Sequence, residues 1–126
     1  HGHLGPFLVI GYRMGRYART TLCHDPFALS ARVYCSGTTP ETCIADGLQM
    51  GSGCTMGKNN IEIIPDTDFR CEIEQGGRTL VFRPLAFEKP PRDDFYEENI
   101  ERIAVEMSSR PDDELFSVEG TAPVHD

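Results

Sequence analysis

Residues 70–83 read RCEIEQGGRTLVFR, two six-residue arms around the pair Gly76–Gly77. The arms alternate apolar and polar residues, and the two glycines supply the positive φ that a two-residue hairpin turn needs. Closing the turn there sets Ile73 opposite Leu80 and Cys71 opposite Phe82, with Glu72 and Glu74 directed to solvent. A hairpin at 71–83 therefore anchors the reading of the fold.

Upstream, residues 5–21 form an amphipathic helix, because Phe7, Ile10, Met14 and Tyr17 recur at spacings of three and four. Arg13, Arg16 and Arg19 fall in its later turns, where cations complement the helix dipole. ALSARVYCSG (residues 28–37) predicts a strand with Val33 and Cys35 on one face and Tyr34 on the other. Thr39–Pro40 predicts a helix start, a cap followed by proline at the first helical position, with the helix running to about Met50. Ile61, Ile63 and Ile64 predict another strand, ended by Pro65. Downstream, KPPR at 89–92 is a rigid connector. Asp94 and Glu97 predict a capping box, and Tyr96, Ile100, Ile103 and Met107 form a helical stripe. A short turn is expected after Pro111, within an acidic helical segment over 92–118. The order of elements implies one α+β domain over 1–126: N-terminal helix, mixed or antiparallel sheet, C-terminal helix.

The net charge is −8 over 126 residues, and its placement is uneven. Residues 1–87 carry eight acidic and eight basic side chains, whereas residues 88–126 carry twelve and four. Without a basic stripe, nucleic acid is excluded as a partner, since phosphate neutralisation supplies most of that affinity. No apolar run approaches membrane-span length, so no membrane partner is expected. Five cysteines, an odd number with no C-x-x-C, read as thiols in a reducing compartment and imply a cytoplasmic location. The start at His1, inside what looks like a motif, suggests a trimmed N-terminus.

The chemistry-bearing residues fall in two places. His1 and His3 precede the first helix; two imidazoles this close can share a cation, although a tag remnant or an amino-terminal copper chelate gives the same pattern. Cys43 and Asp46 lie one helical turn apart, and Cys54 follows in the glycine-rich loop GSGCTMGKNN (residues 51–60). That loop fails the P-loop pattern, because Ser52 stands six residues before Lys58 and Asn59 replaces the magnesium-binding hydroxyl. Its amides and Lys58 instead suggest an anion nest that lowers the pKa of Cys54. Cys23, Cys35 and Cys71 read as core residues, and His24–Asp25 as a solvated loop.

The motif HGHLGPFLVIGYRMG followed by CIADGLQMGSGCTMGKNNI resembles the E-subunit family of formylmethanofuran dehydrogenase. The matching positions are His1, Gly2, His3 and Pro6, then Cys43, Asp46, Gly47, Leu48 and Gln49, then Gly53, Cys54, Thr55, Gly57, Lys58 and Asn60. Gly5 stands where many members carry a cysteine, and no C-terminal zinc finger with paired cysteines follows, which implies the core domain alone.

That resemblance implies an α+β core, commonly dimeric, with histidines and cysteines meeting in a groove. It implies a metal site for Zn2+ or another divalent transition metal, drawn from His1, His3, Cys43 and Cys54. Asp46 is then a nearby carboxylate or proton acceptor, and Cys54, Asp46 and Lys58 carry catalysis. Gln49, Thr55 and Asn60 contact substrate. The expected activity is a metal-assisted oxidoreductase step in one-carbon metabolism, linked to methanogenesis and to a larger oxidoreductase complex. The alternative is a thiol-based carrier that delivers metal, cofactor or sulfur to such an enzyme.

Overall fold

A computed structural model describes residues 2–121 of the chain. Helix α1 spans Pro6–Thr21, strand β1 Ser30–Cys35, helix α2 Cys43–Ser52 and strand β2 Ile61–Pro65. The hairpin strands are β3, Arg70–Gln75, and β4, Arg78–Pro84; helix α3 is Tyr96–Met107 and β5 is Phe116–Thr121. The five strands form one sheet in the order β2-β1-β3-β4-β5. The protein is thus α+β, as expected. β1 and β2 are parallel because α2 provides the crossover between them; all other pairings are antiparallel.

The hairpin closes in the expected register, Cys71 opposite Phe82 and Ile73 opposite Leu80, around glycines at φ 55° and 87°. One face of the sheet carries Val33, Cys35, Cys71, Ile73 and Phe82, all fully buried beneath α1 and α2. Ile10 and Met14 of α1 and Ile44 and Leu48 of α2 complete this core. Tyr17, Phe82 and Phe116 meet edge to face with centroids 5.4–5.9 Å apart. On the opposite face Glu72 is not simply solvated. It accepts bonds from Arg70 at 2.9 Å and Arg32 at 3.2 Å, while the Arg70 guanidinium stacks 3.8 Å from the Tyr34 ring centroid.

Three sequence expectations need correction. The second helix begins at Cys43 with Thr42 as its cap, not at Thr39. The amides of Cys43, Ile44 and Ala45 each bond three residues back, so residues 38–42 form turns before the helix proper. The capping box at Asp94 and Glu97 does not form; Asp93 Oδ1 accepts the Phe95 amide instead, at 2.9 Å. The C-terminal segment is not helical over 92–118, because α3 ends at Met107. Residues 116–121 form the edge strand β5 beside β4, a strand the sequence did not announce.

Helices α1 and α2 pack backbone to backbone. A Cβ placed on Gly11 would stand 2.1 Å from the Ile44 carbonyl oxygen, and one on Gly51 2.1 Å from that of Tyr12. Helix α3 crosses α1, burying Ala104 and Met107, while Arg13 Nη1 donates to the Ser108 carbonyl at 3.2 Å. Tyr96, Ile100 and Ile103 are half-buried by this packing. No helix among the described residues is long and apolar enough to cross a membrane.

Candidate functional site

His3 lies three residues before the start of α1 and Cys43 opens α2. Because these helix ends lie side by side, both residues border one cavity of about 410 Å3. Thr39, Pro40 and Leu8 share its wall, and α3 with the preceding connector adds Arg92, Tyr96, Glu97 and Ile100. Two motifs forty residues apart therefore converge. Arg92, Tyr96 and Glu97 were missed by sequence reasoning, since only tertiary packing carries α3 to this place.

Cys43 also borders a second cavity of about 430 Å3 between α2 and β2, shared with Asp46, Gln49, Met56 and Ile63. Burial, helped by the Asp46 carboxylate, holds the Cys43 thiol above its usual pKa. The thiol is half-buried and stands between two cavities.

Cys54 departs from expectation. Its side chain is fully buried in the hydrophobic core and borders neither cavity. Burial pushes its thiol upward in pKa, outweighing the Ser52 hydroxyl and the Lys58 ammonium, which both favour the thiolate. The expected lowered pKa is therefore reversed. The cause lies in the loop, whose polar groups are turned on one another. Ser52 Oγ donates to the Leu48 carbonyl at 2.6 Å and accepts the Cys54 amide at 3.0 Å. Gln49 Oε1 accepts the Met56 amide at 3.0 Å, and Asn60 Oδ1 accepts the Thr55 amide at 2.8 Å. Asn60 Nδ2 donates to the carbonyls of Pro26 and Leu29, at 2.9 and 3.0 Å.

These bonds occupy most of the amides an anion nest would offer. Gln49 and Asn60 act as staples that close the loop. Thr55 Oγ1 accepts the Lys58 amide at 3.3 Å and lies 3.4 Å from Lys58 Nζ, which also sits 5.3 Å from the Phe27 ring centroid.

As to metal, His3 and Cys43 are donors of the nitrogen and sulfur type that zinc and neighbouring transition ions accept. Among the described residues, no group of three His, Cys, Asp or Glu side chains is placed to hold one ion. His1 lies outside the described residues. All five cysteines are free thiols, consistent with reading them as thiols rather than as a disulfide framework.

A small α+β domain whose helix ends bring a histidine and a cysteine to one cavity is the class these features define. The family model described as "FmdE, Molybdenum formylmethanofuran dehydrogenase operon" matches residues 1–117, and the chain belongs to that family. The chain is also 34% identical over 68 residues to a "Probable S-adenosyl-L-methionine-binding protein" of Archaeoglobus fulgidus. That match covers 48% of this chain and 17% of the longer protein.

Proposed function

We propose that the chain is a metal-binding protein that works with formylmethanofuran dehydrogenase, the enzyme whose operon gives the family its description. The observation that carries this reading is the convergence of His3 and Cys43 on one cavity. His3 offers an imidazole nitrogen and Cys43 a thiolate to a divalent transition ion, with zinc the foremost candidate. His1, two positions earlier in sequence, is the proposed further ligand. When bound, such an ion would polarise a ligand oxygen and ease ionisation of bound water. Asp46, one turn after Cys43, is proposed to take a proton from the site. Cys54 is dropped from this ligand set, because it faces the core.

A second reading is favoured by the accessibility of Cys43 from two cavities: a thiol-based carrier serving the same larger enzyme complex. We further propose a homodimer. The groove along Leu4, Leu8, Tyr12 and the 62% exposed Met50 is an apolar surface that a second copy would cover. Five free thiols fit a reducing compartment, the cytoplasm.

Elemental analysis of protein purified without a nickel column tests the main reading. Roughly one divalent metal per chain is expected, lost in a His3→Ala, Cys43→Ser double variant. Metal content unchanged in that variant overturns the assignment. A metal-free protein whose Cys43 accepts and passes on a sulfur or metal adduct supports the carrier instead. Light scattering at micromolar concentration decides the dimer.

A further inference from the structure

The KPPR connector does more than join β4 to α3. Two prolines with fixed φ precede Arg92, and the Asp93 amide bonds back to the Pro91 carbonyl at 3.0 Å. The Arg92 guanidinium carbon lies 4.4 Å from the Tyr96 ring centroid, and both side chains border the His3–Cys43 cavity. Among that cavity's lining residues Arg92 is the sole lysine or arginine. Elsewhere Arg32, Arg70 and Arg83 are each spent on a carboxylate, at 3.2, 2.9 and 3.1 Å. Among the described residues, no carboxylate pairs with Arg92.

We propose that Arg92, stacked on Tyr96, binds the carboxylate or phosphate of a small anionic substrate whose reacting end faces His3 and Cys43. Stacking leaves the in-plane N–H groups of a guanidinium free, and their fork matches the two oxygens of such a group. Leu8, Ile100 and Pro40 give the cavity an apolar wall, while Arg92 is exposed, so the charge contact is made where the cavity meets solvent. A cavity of about 410 Å3 takes a small molecule rather than a polymer segment. Glu97 also lines the cavity and disfavours a second anionic group on the ligand. The inference rests on reading this cavity as the functional site, but it does not require that a metal be bound there.

Charge-selective alkylation of Cys43 tests it on chelator-treated full-length protein. Iodoacetate carries a carboxylate and iodoacetamide does not; both form the same thioether with loss of iodide. The rate ratio of iodoacetate to iodoacetamide at Cys43 should fall about three- to tenfold in Arg92→Gln, from loss of one nearby charge, and recover partly in Arg92→Lys. The ratio at Cys23, which is not among the residues bordering this cavity, serves as the internal reference and should not move. Protection of Cys43 by millimolar acetate or by inorganic phosphate, lost in Arg92→Gln, assigns which oxyanion the site prefers. An unchanged ratio at Cys43 in Arg92→Gln overturns the proposal. Metal analysis of the same variant separates the two readings: metal retained with the ratio lowered supports both, whereas no metal in wild type with the ratio lowered leaves the anion site standing alone.

Discussion

Gly47 faces the carbonyl oxygen of Leu8 so closely that a Cβ built on it would stand 2.1 Å from that oxygen and 2.6 Å from the Tyr12 amide nitrogen. Only hydrogen fits there. The contact fixes how near the second turn of α2 comes to α1, and hence how near Cys43, one turn earlier, comes to the start of α1. Gly47→Ala should therefore force the helices apart. A cost of about 3 kcal/mol is expected, at the upper end for overpacking because the obstacle is backbone. Urea unfolding should show a lowered midpoint at unchanged slope. A midpoint within error of wild type would mean that the two helices have room to separate.

Asn60 supplies a second test, because its amide makes three bonds that a carboxylate cannot all reproduce. Asn60→Asp keeps an acceptor for the Thr55 amide but points an anion at the carbonyls of Pro26 and Leu29. Asn60→Ala loses the bonds without adding repulsion, at roughly 2–3 kcal/mol. The aspartate variant is expected to be the less stable of the two at neutral pH, by thermal or urea unfolding. The reverse order would show that the loop opens to solvent and that Asn60 is not a staple.

These two residues also show what the sequence made legible. The hairpin register followed from Gly76–Gly77, because a turn needing positive φ at two positions leaves little choice. The first helix followed from its apolar spacing. Gly11-x-x-x-Gly15 and Gly47-x-x-x-Gly51 were equally visible as spacing, yet their meaning needs both helices face to face. Cys54 misled for a physical reason. Polar neighbours in a glycine-rich loop suggest solvent, but Ser52, Gln49 and Asn60 absorb those polar groups internally and the thiol turns into the core. Strand β5 was missed because its alternation, Phe116-Ser117-Val118-Glu119, lasts only four residues before Gly120, and only the free edge of β4 recruits it.

The outer face of the sheet predicts a pH dependence. Burial alone would push the Glu72 carboxyl upward, but bonds from Arg70 and Arg32 outweigh it and hold the group below its usual range. A depressed folded pKa adds stability above the ordinary glutamate value of about 4.3, and that stability is lost as pH falls through the folded value. Glu72→Gln should cost about 1–2 kcal/mol at pH 7. Its stability should then fall less steeply than wild type below about pH 4.3, the two curves converging in acid. Parallel curves from neutral to acid pH would remove Glu72 from the account of acid sensitivity.

Thiol reactivity provides the last test, and it reads the site directly. In chelator-treated protein the half-buried Cys43 and Cys23 should be alkylated before Cys54, Cys35 and Cys71, which are fully buried. Depth, not the polarity of neighbouring residues in sequence, sets that order. Within it, Asp46 shifts the pH at which Cys43 reacts. Burial is the larger cause of the raised Cys43 pKa, and the Asp46 carboxylate adds to it by repelling the thiolate. Asp46→Asn removes the repulsion, so the pKa falls toward that of an ordinary thiol and more thiolate is present at any given pH. Alkylation of Cys43 near pH 7.5 should then rise about two- to threefold, with the midpoint of its pH–rate profile moved to lower pH. The alkylation rate of Cys23 in the same sample serves as the reference. A Cys43 midpoint that does not move would show that Asp46 and Cys43 do not share a field, and would remove Asp46 as the proton acceptor of the site.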